Sequence, residues 1–242
     1  MNPEVPKQID WGAVDEYLSY QYGPHPKTGF LGIQKLDPAH YLIVRENGEV
    51  KKERYWQLDF SHKDQGSTEE WKERVTESLK ESVRLRLMSD VPLGAHLSGG
   101  VDSSLVVALM AEQMDKPVKT FSIGFKEDSH NELPQARLMA ERYGTEHHEF
   151  VVEPVAVELL PKIAHQFEEP FGDASALPTW LLCEMTREHV TVALNGDGGD
   201  ENFAGYARYK AMNHYSMLKA FDTVVSSVKD PLTLLSRVIY QR

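Results

Sequence analysis

The chain of 242 residues has one cysteine, Cys183, which excludes a disulfide framework. Such a chain suits a reducing compartment, so a cytoplasmic location is expected. Long apolar runs are missing too. Nowhere do about 18 apolar residues follow one another, the least a membrane-spanning helix needs, so no membrane association is expected. The first ten residues, "MNPEVPKQID", lack the basic and apolar regions of a signal peptide. Positive charge is in deficit, with 26 Lys and Arg against 37 Asp and Glu and a formal net charge of −11. That balance argues against nucleic acid or an anionic membrane as the main partner. An anionic ligand would need a local donor site or a metal ion to overcome the overall field. Apolar residues make up 41% of the chain, enough for a sizeable core.

Turn residues are frequent in the stretch from 10 to 60, followed by a short strand pattern, "HYLIV", and a hairpin signal at Asn47-Gly48. "KDQGS" reads as a linker. Ser67 and Glu70 then have the spacing of a capping box. Trp71, Val75, Leu79, Val83 and Leu87 recur every four residues and predict one apolar helix face. From residue 91 onward strands and helices alternate: "PLGAHL", "SSLVVALMAEQM", "VKTFSIGF", "ELPQARLMAERYG", "EHHEFVV", "VAVELLPKIAHQF", "LPTWLLCEMTREH" and, as a buried strand, "VTVAL". Gly144 is placed to end its helix. This alternation predicts an α/β fold, a mostly parallel sheet with helices on both faces, preceded by a small β-rich segment. Ligands of such sheets bind beyond the carboxyl ends of the strands. The tail, 206–242, is helical in pattern. The four tryptophans and Cys183 are expected in the core.

"HLSGGVDSSL", 96–105, is a glycine-rich turn opening a helix. Gly99 and Gly100 can take positive φ and let a ligand approach the backbone. The first helical amides point outward with partial positive charge, and Ser98, Ser103 and Ser104 add hydroxyl donors. Together they suit phosphate or pyrophosphate. Asp102 would repel that ligand unless a divalent cation lay between them. Magnesium, held by one or two carboxylates plus phosphate oxygens and water, fits this need. A second acid is then expected at another strand end, and "VTVALNGDGGDENFAGY" supplies Asp197, Asp200 and Glu201. Asp200 is the expected second metal ligand, and Asp197 is expected to face the reacting part of the ligand.

"LSGGVDSS" resembles the pyrophosphate-binding loop of the N-type ATP pyrophosphatases, the PP-loop superfamily. The kinase-type ending Gly-Lys-Ser or Gly-Lys-Thr is absent. With "FSIGF", "GTEHHEF", "EPFGDASALPTWLL" and "NGDGGDENFAGYARY" in order, the chain resembles the synthetase domain of the glutamine-hydrolysing asparagine synthetases. The resemblance implies an adenine nucleotide alpha hydrolase-like, Rossmann-like fold and a ligase using ATP and Mg2+. Aspartate would be activated as an acyl-adenylate with release of pyrophosphate, and ammonia would then give asparagine and AMP. It implies that Ser98, Gly99, Gly100, Asp102 and Ser103 hold the pyrophosphate end, with Asp102 and Asp200 on magnesium. Ile123, Gly124 and His96 fall where the family holds adenine, His96 being either its neighbour or simply a strand-end histidine. Asn195 and Gly196 approach the nucleotide from the second strand. Asp197-Gly198 stands where asparagine synthetases usually have Glu-Gly, a side chain one methylene shorter.

By the same resemblance, 1–62 is the end of a glutaminase domain with its connection and 63–242 a synthetase domain truncated at its C-terminal end. The glutaminase cysteine is absent, since Asn2 follows Met1, and so is the family's downstream lysine. Ammonia would come from the missing glutaminase, and family members often form homodimers. Two other readings remain open: a related synthetase or amidotransferase for another carboxylate, including the β-lactam-forming type, and a nucleotide-binding module without turnover. Glu169 or Asp173 of "EEPFGDAS" could meet the amino-acid substrate, while helix capping by Asp173 or Ser175 explains the same residues. His147 and His148 are adjacent on a strand, so they point to opposite faces and are expected to be structural.

Overall fold

The computed structural model describes residues 4–125, 131–152 and 156–212. The helical pattern read for the tail beyond 212 lies outside the described residues.

The first helix, α1 (Trp11–Tyr20), was not expected from the pattern. It is set by a cap rather than a stripe: the Asp10 carboxylate accepts the N–H groups of Gly12 and Ala13 at 3.0 and 3.1 Å. Ala13 is its one buried residue. The hairpin follows as β1 (His40–Val44) and β2 (Val50–Arg54), antiparallel, with Val44 opposite Val50 and Gly48 at φ 81°.

Helix α2 (Thr68–Arg86) begins at the expected capping box, with the Glu70 carboxylate accepting Ser67 N–H at 2.7 Å and the Ser67 hydroxyl accepting Glu70 N–H at 3.3 Å. Its apolar face is buried only at the C-terminal end. Val83 is buried, whereas Trp71 is 38% exposed. The reason is reach. Lys80 already lies beside Glu112 and Gln113, the last residues of α3 (Val101–Gln113), so the first turns of α2 run past their neighbour.

The main sheet contains β3 (Leu93–His96), β4 (Lys119–Phe125), β5 (Glu146–Val152) and β6 (Val192–Leu194), in the order β5-β4-β3-β6 and all parallel. A β-carbon at Gly94 would meet Lys119 O at 2.7 Å, so only glycine fits there. Helix α3 contacts α4 (Leu133–Tyr143) over one face. Helix α5 (Ala156–Phe167) contacts α6 (Ala176–Thr186), which lies against β4. Crossovers that run first one way and then back place these pairs on opposite faces. The core beneath α3 joins Ala95, Leu97, Val107, Met110, Val118 and Ala136. Gly144 ends α4 at φ 61°, as expected.

Three burial expectations need correction. "VTVAL" is not a buried strand: β6 pairs only with β3 among the described residues, and Val192 is 39% exposed. None of the four tryptophans is buried; Trp11 and Trp56 are largely exposed, and Arg74 stacks over Trp71 at 4.5 Å. Cys183 is exposed on α6. Its partly desolvated thiol and the charge of Asp197 push its pKa up. His147 and His148 do diverge. The first meets the Thr120 hydroxyl at 2.8 Å, and the second stacks on the Phe121 ring at 5.2 Å and on His189 at 4.3 Å.

Candidate functional site

Strand β3 has β4 on one side and β6 on the other, so the turns after β3 and β6 leave the sheet next to each other. Such a switch in strand order is where an open α/β sheet forms its crevice. Both glycine-rich acidic motifs lie there.

The first turn is held by its own serines. Ser98 N–H donates to the Ser103 hydroxyl at 3.2 Å, the two hydroxyls lie 2.8 Å apart, and Gly100 N–H donates to Ser98 Oγ at 3.3 Å. Gly99 has φ 80° and packs so closely on α4 that a β-carbon would meet Ala136 N at 2.6 Å. Gly100 differs from expectation: its φ is −68°, and it serves as the N-cap of α3. A glycine cap leaves no side chain over the helix start. The opening amides of α3 therefore face outward, with Asp102 in the first turn.

The second turn closes on itself. The Asn195 amide donates to the Asp197 carboxylate at 2.7 Å, and Asp197 N–H donates back to Asn195 Oδ1 at 3.2 Å. It also presses on the first turn. A β-carbon at Gly196 would lie 2.7 Å from Ser103 N, and one at Gly199 would collide with the Asp102 carboxylate. The two acidic turns are thus in van der Waals contact through glycines. A short helix, α7 (Gly199–Phe203), carries Asp200 and Glu201, and α8 (Ala207–Met212) follows.

Between the turns and α6 lies a cavity of about 310 Å³. Among the predicted residues it is lined by His96, Ser98, Gly100, Asp102, Ser103, Ile123, Asn195, Gly196 and Asp197. Neither lysine nor arginine lines it. His96 meets the buried Thr186 hydroxyl through Nε2 at 3.3 Å. Burial pushes its imidazole below the ordinary value, with the charge of Asp197 partly opposing.

Four predicted residues lie elsewhere. Gly99 and Gly124 face α4, and Gly124 has its β-carbon position taken by Leu133. Asp200 lines a separate cavity of about 290 Å³ across the second turn, together with Asp173, Asp197, Glu201 and Tyr206. There Tyr206 donates to Glu201 at 2.5 Å; that bond raises the phenol to about 12 and lowers the Glu201 carboxyl. Asp173 accepts Ser175 N–H at 2.9 Å just before α6, while Ser175, the N-cap, makes no side-chain cap bond. Glu169 lines neither cavity; its carboxylate is held by Lys35 at 2.9 Å. Phe121, Ser122, Glu132, Thr179 and Leu182 line the main cavity without having been singled out. For Thr179 and Leu182 the signal was there, since both fall inside "EPFGDASALPTWLL".

The residues present suit a divalent cation as partner to an anion. Asp102 opens into a cavity whose other donors are amides and hydroxyls and which no basic side chain lines. Among the described residues no group of three or more His, Cys, Asp or Glu side chains gathers to hold a metal by itself. Magnesium needs no such cage when a phosphate completes its shell.

A parallel sheet with an acid-bearing glycine turn at a helix start, touching a second acidic turn at the adjacent strand end, defines the PP-loop class of ATP pyrophosphatases. The asparagine synthase profile matches residues 74–239, and the chain belongs to that family. It is 34% identical over 235 residues to asparagine synthetase [glutamine-hydrolyzing] 1 of Bacillus subtilis, covering 96% of this chain and 36% of the relative. It is 38% identical over 214 residues to putative asparagine synthetase [glutamine-hydrolyzing] 2 of Methanocaldococcus jannaschii, covering 87% and 41%. Over 205 residues it is 33% identical to amidase chyE of Penicillium rubens, covering 76% and 30%. The chain thus spans well under half the length of these curated relatives. Among the described residues no helix is long and apolar enough to cross a membrane.

Proposed function

We propose that this chain carries the ATP-using half of an amide-forming ligase, a synthetase domain over 63–242 preceded by the end of a glutaminase domain over 1–62. The observation that carries the reading is the contact of the two acidic turns, with Asp102 in the first and Gly196 and Gly199 packed against it from the second. Ser98, Gly99, Gly100, Ser103 and the opening amides of α3 hold the pyrophosphate end of ATP. Asp102 holds magnesium, with Asp200 as second carboxylate from across the turn. Bound magnesium would offset the charge that builds on departing pyrophosphate. The chain's own contribution is a set of donors fixed before reaction, since the serine network already locks the turn. His96, Ile123, Gly124, Asn195 and Gly196 enclose the nucleoside.

Asp197 faces the acceptor carboxylate, which is activated as an acyl-adenylate and then attacked by ammonia supplied by a glutaminase. Aspartate is the acceptor that the named asparagine synthetase relatives favour, giving asparagine and AMP. Glu169 and Asp173 were considered for the amino-acid substrate; Asp173, beside Asp197 and Asp200 in the second cavity, keeps that role, and Glu169 is assigned to holding its loop. A different carboxylate is the second reading. It draws support from the relative named an amidase and from Asp197, shorter than the usual glutamate. The protein is expected in the cytoplasm, as a homodimer when complete.

Calorimetry with ATP tests this directly. Micromolar-range MgATP binding is expected, weakened at least tenfold when magnesium is removed or in Asp102→Asn. Binding indifferent to both would remove the reading.

A further inference from the structure

We propose that His96 is a proton acceptor at the amide-forming end of the main cavity, a role that rests on the function just proposed. Three observations on the same ring lead there. His96 sits at the carboxyl end of β3, where the backbone turns into the serine-glycine loop, so its Cβ is fixed by the sheet. Nε2 is anchored to the buried hydroxyl of Thr186 at 3.3 Å. Nδ1 has no hydrogen-bond partner among the described residues and is not a buried orphan, so it opens to the cavity that His96 lines. An imidazole with one nitrogen tethered and the other open has the geometry of an acid–base group.

Its surroundings suit the same task. Asp197 lines the cavity with it and acts on its charge from the turn after β6. The other ionisable groups lining the cavity are Asp102, at the start of α3, and Glu132, before α4. Helix α6 presents Cys183, whose thiol is kept neutral at ordinary pH, and just past its end His189 stacks with His148 on the Phe121 ring. No lysine or arginine lines the cavity to hold the imidazole neutral by repulsion. Burial does that instead.

The step balances as follows. The lone pair of ammonia forms the new C–N bond at the acyl carbon of the adenylate, and the C–O bond to the phosphate breaks with its electron pair, releasing AMP. A proton on the attacking nitrogen passes to His96 Nδ1, while Nε2–H continues to donate to Thr186. The resulting imidazolium lies near the Asp197 carboxylate, which stabilises it until water takes the proton. Aspartate or another carboxylate can be the acceptor, since the proton comes from the nitrogen.

The test separates the two half-reactions. Carboxylate-dependent exchange of labelled pyrophosphate into ATP reports adenylation; AMP formation at a fixed concentration of free ammonia reports amide formation. His96→Gln, which keeps a hydrogen-bonding arm but accepts no proton near neutrality, is expected to leave exchange within about threefold of wild type. Amide formation should fall about 100-fold, in the range of lost general base catalysis. In the wild-type chain the amide-forming rate should rise with pH through an ionisation below 6.5, and this limb should be missing in His96→Gln. Equal loss of both half-reactions, or an unchanged pH profile, overturns the inference alone. A wild-type chain with no exchange overturns the function on which it rests. A measurement free of turnover adds to this: followed by NMR, the His96 ring should titrate at a lower pH in Asp197→Asn than in wild type. An unmoved midpoint would mean the two groups do not face each other and would overturn the pairing.

Discussion

At the scale of single residues, the site depends most on positions that have no side chain. With Ser103 N only 2.7 Å from where its β-carbon would be, Gly196→Ala forces two backbones apart. A loss of about 1–3 kcal/mol is expected from such overpacking, readable in urea unfolding, together with weaker MgATP binding. Tyr206 offers a prediction in alkali. Its hydrogen bond to Glu201 raises the phenol to about 12 from the ordinary 10.0. A group whose folded pKa is raised contributes stability that is present below its unfolded value and is lost as pH climbs through the folded one. That contribution should fade between about 10 and 12, and ultraviolet titration should find a phenol near 10 in Glu201→Gln. The site's carboxylates were readable from the sequence because glycine-rich turns at strand ends announce themselves. The packing roles of Gly99 and Gly124 were not, because the sequence alone does not show that Ala136 and Leu133 lie against them.

Among the elements, those that bury a repeating face were legible and those set by a cap or an edge were less so. The capping box of α2 was visible as Ser67 and Glu70, and Ser67→Ala should lower stability by about 1 kcal/mol in thermal unfolding. Glu70 accepts the Ser67 backbone N–H, which lowers its pKa; any contribution from this bond is lost as pH falls through the lowered value. Helix α1 escaped notice because one buried alanine makes no stripe, and its Asp10 cap is an ordinary turn residue without one. The strand β6 was found, but its burial was overstated. An apolar run says that a strand suits a sheet, not whether neighbours flank it on both sides.

Over the whole molecule, distant segments are joined in a way no local pattern announces. Lys35 reaches Glu169 at 2.9 Å and also donates to Gly23 O at 3.1 Å, and Pro170 lies 3.5 Å from where a β-carbon on Gly29 would be. The N-terminal segment therefore braces the loop that leads into α6 and so into the cavity wall. Lys35→Ala is expected to speed amide exchange across residues 168–173 while leaving β3, β4 and β5 protected, as hydrogen-exchange mass spectrometry would show. Glu169 drew attention in the sequence as an acid near a matched motif. Its partner, far earlier in the chain, gives it a different task.

Strand order also dictates a history. As the chain emerges from a ribosome, β3, β4 and β5 can pair in the sequence in which they are made, for each joins its predecessor. The far side of β3 stays bare until Val192–Leu194 arrives and settles beside Leu93–Ala95. For most of its synthesis, then, the growing chain displays an open strand edge, a feature that invites wrong pairing and chaperone capture. Nucleotide cannot rescue that intermediate, because the second acidic turn comes after β6. The protein must complete its sheet unaided before ATP can hold it together.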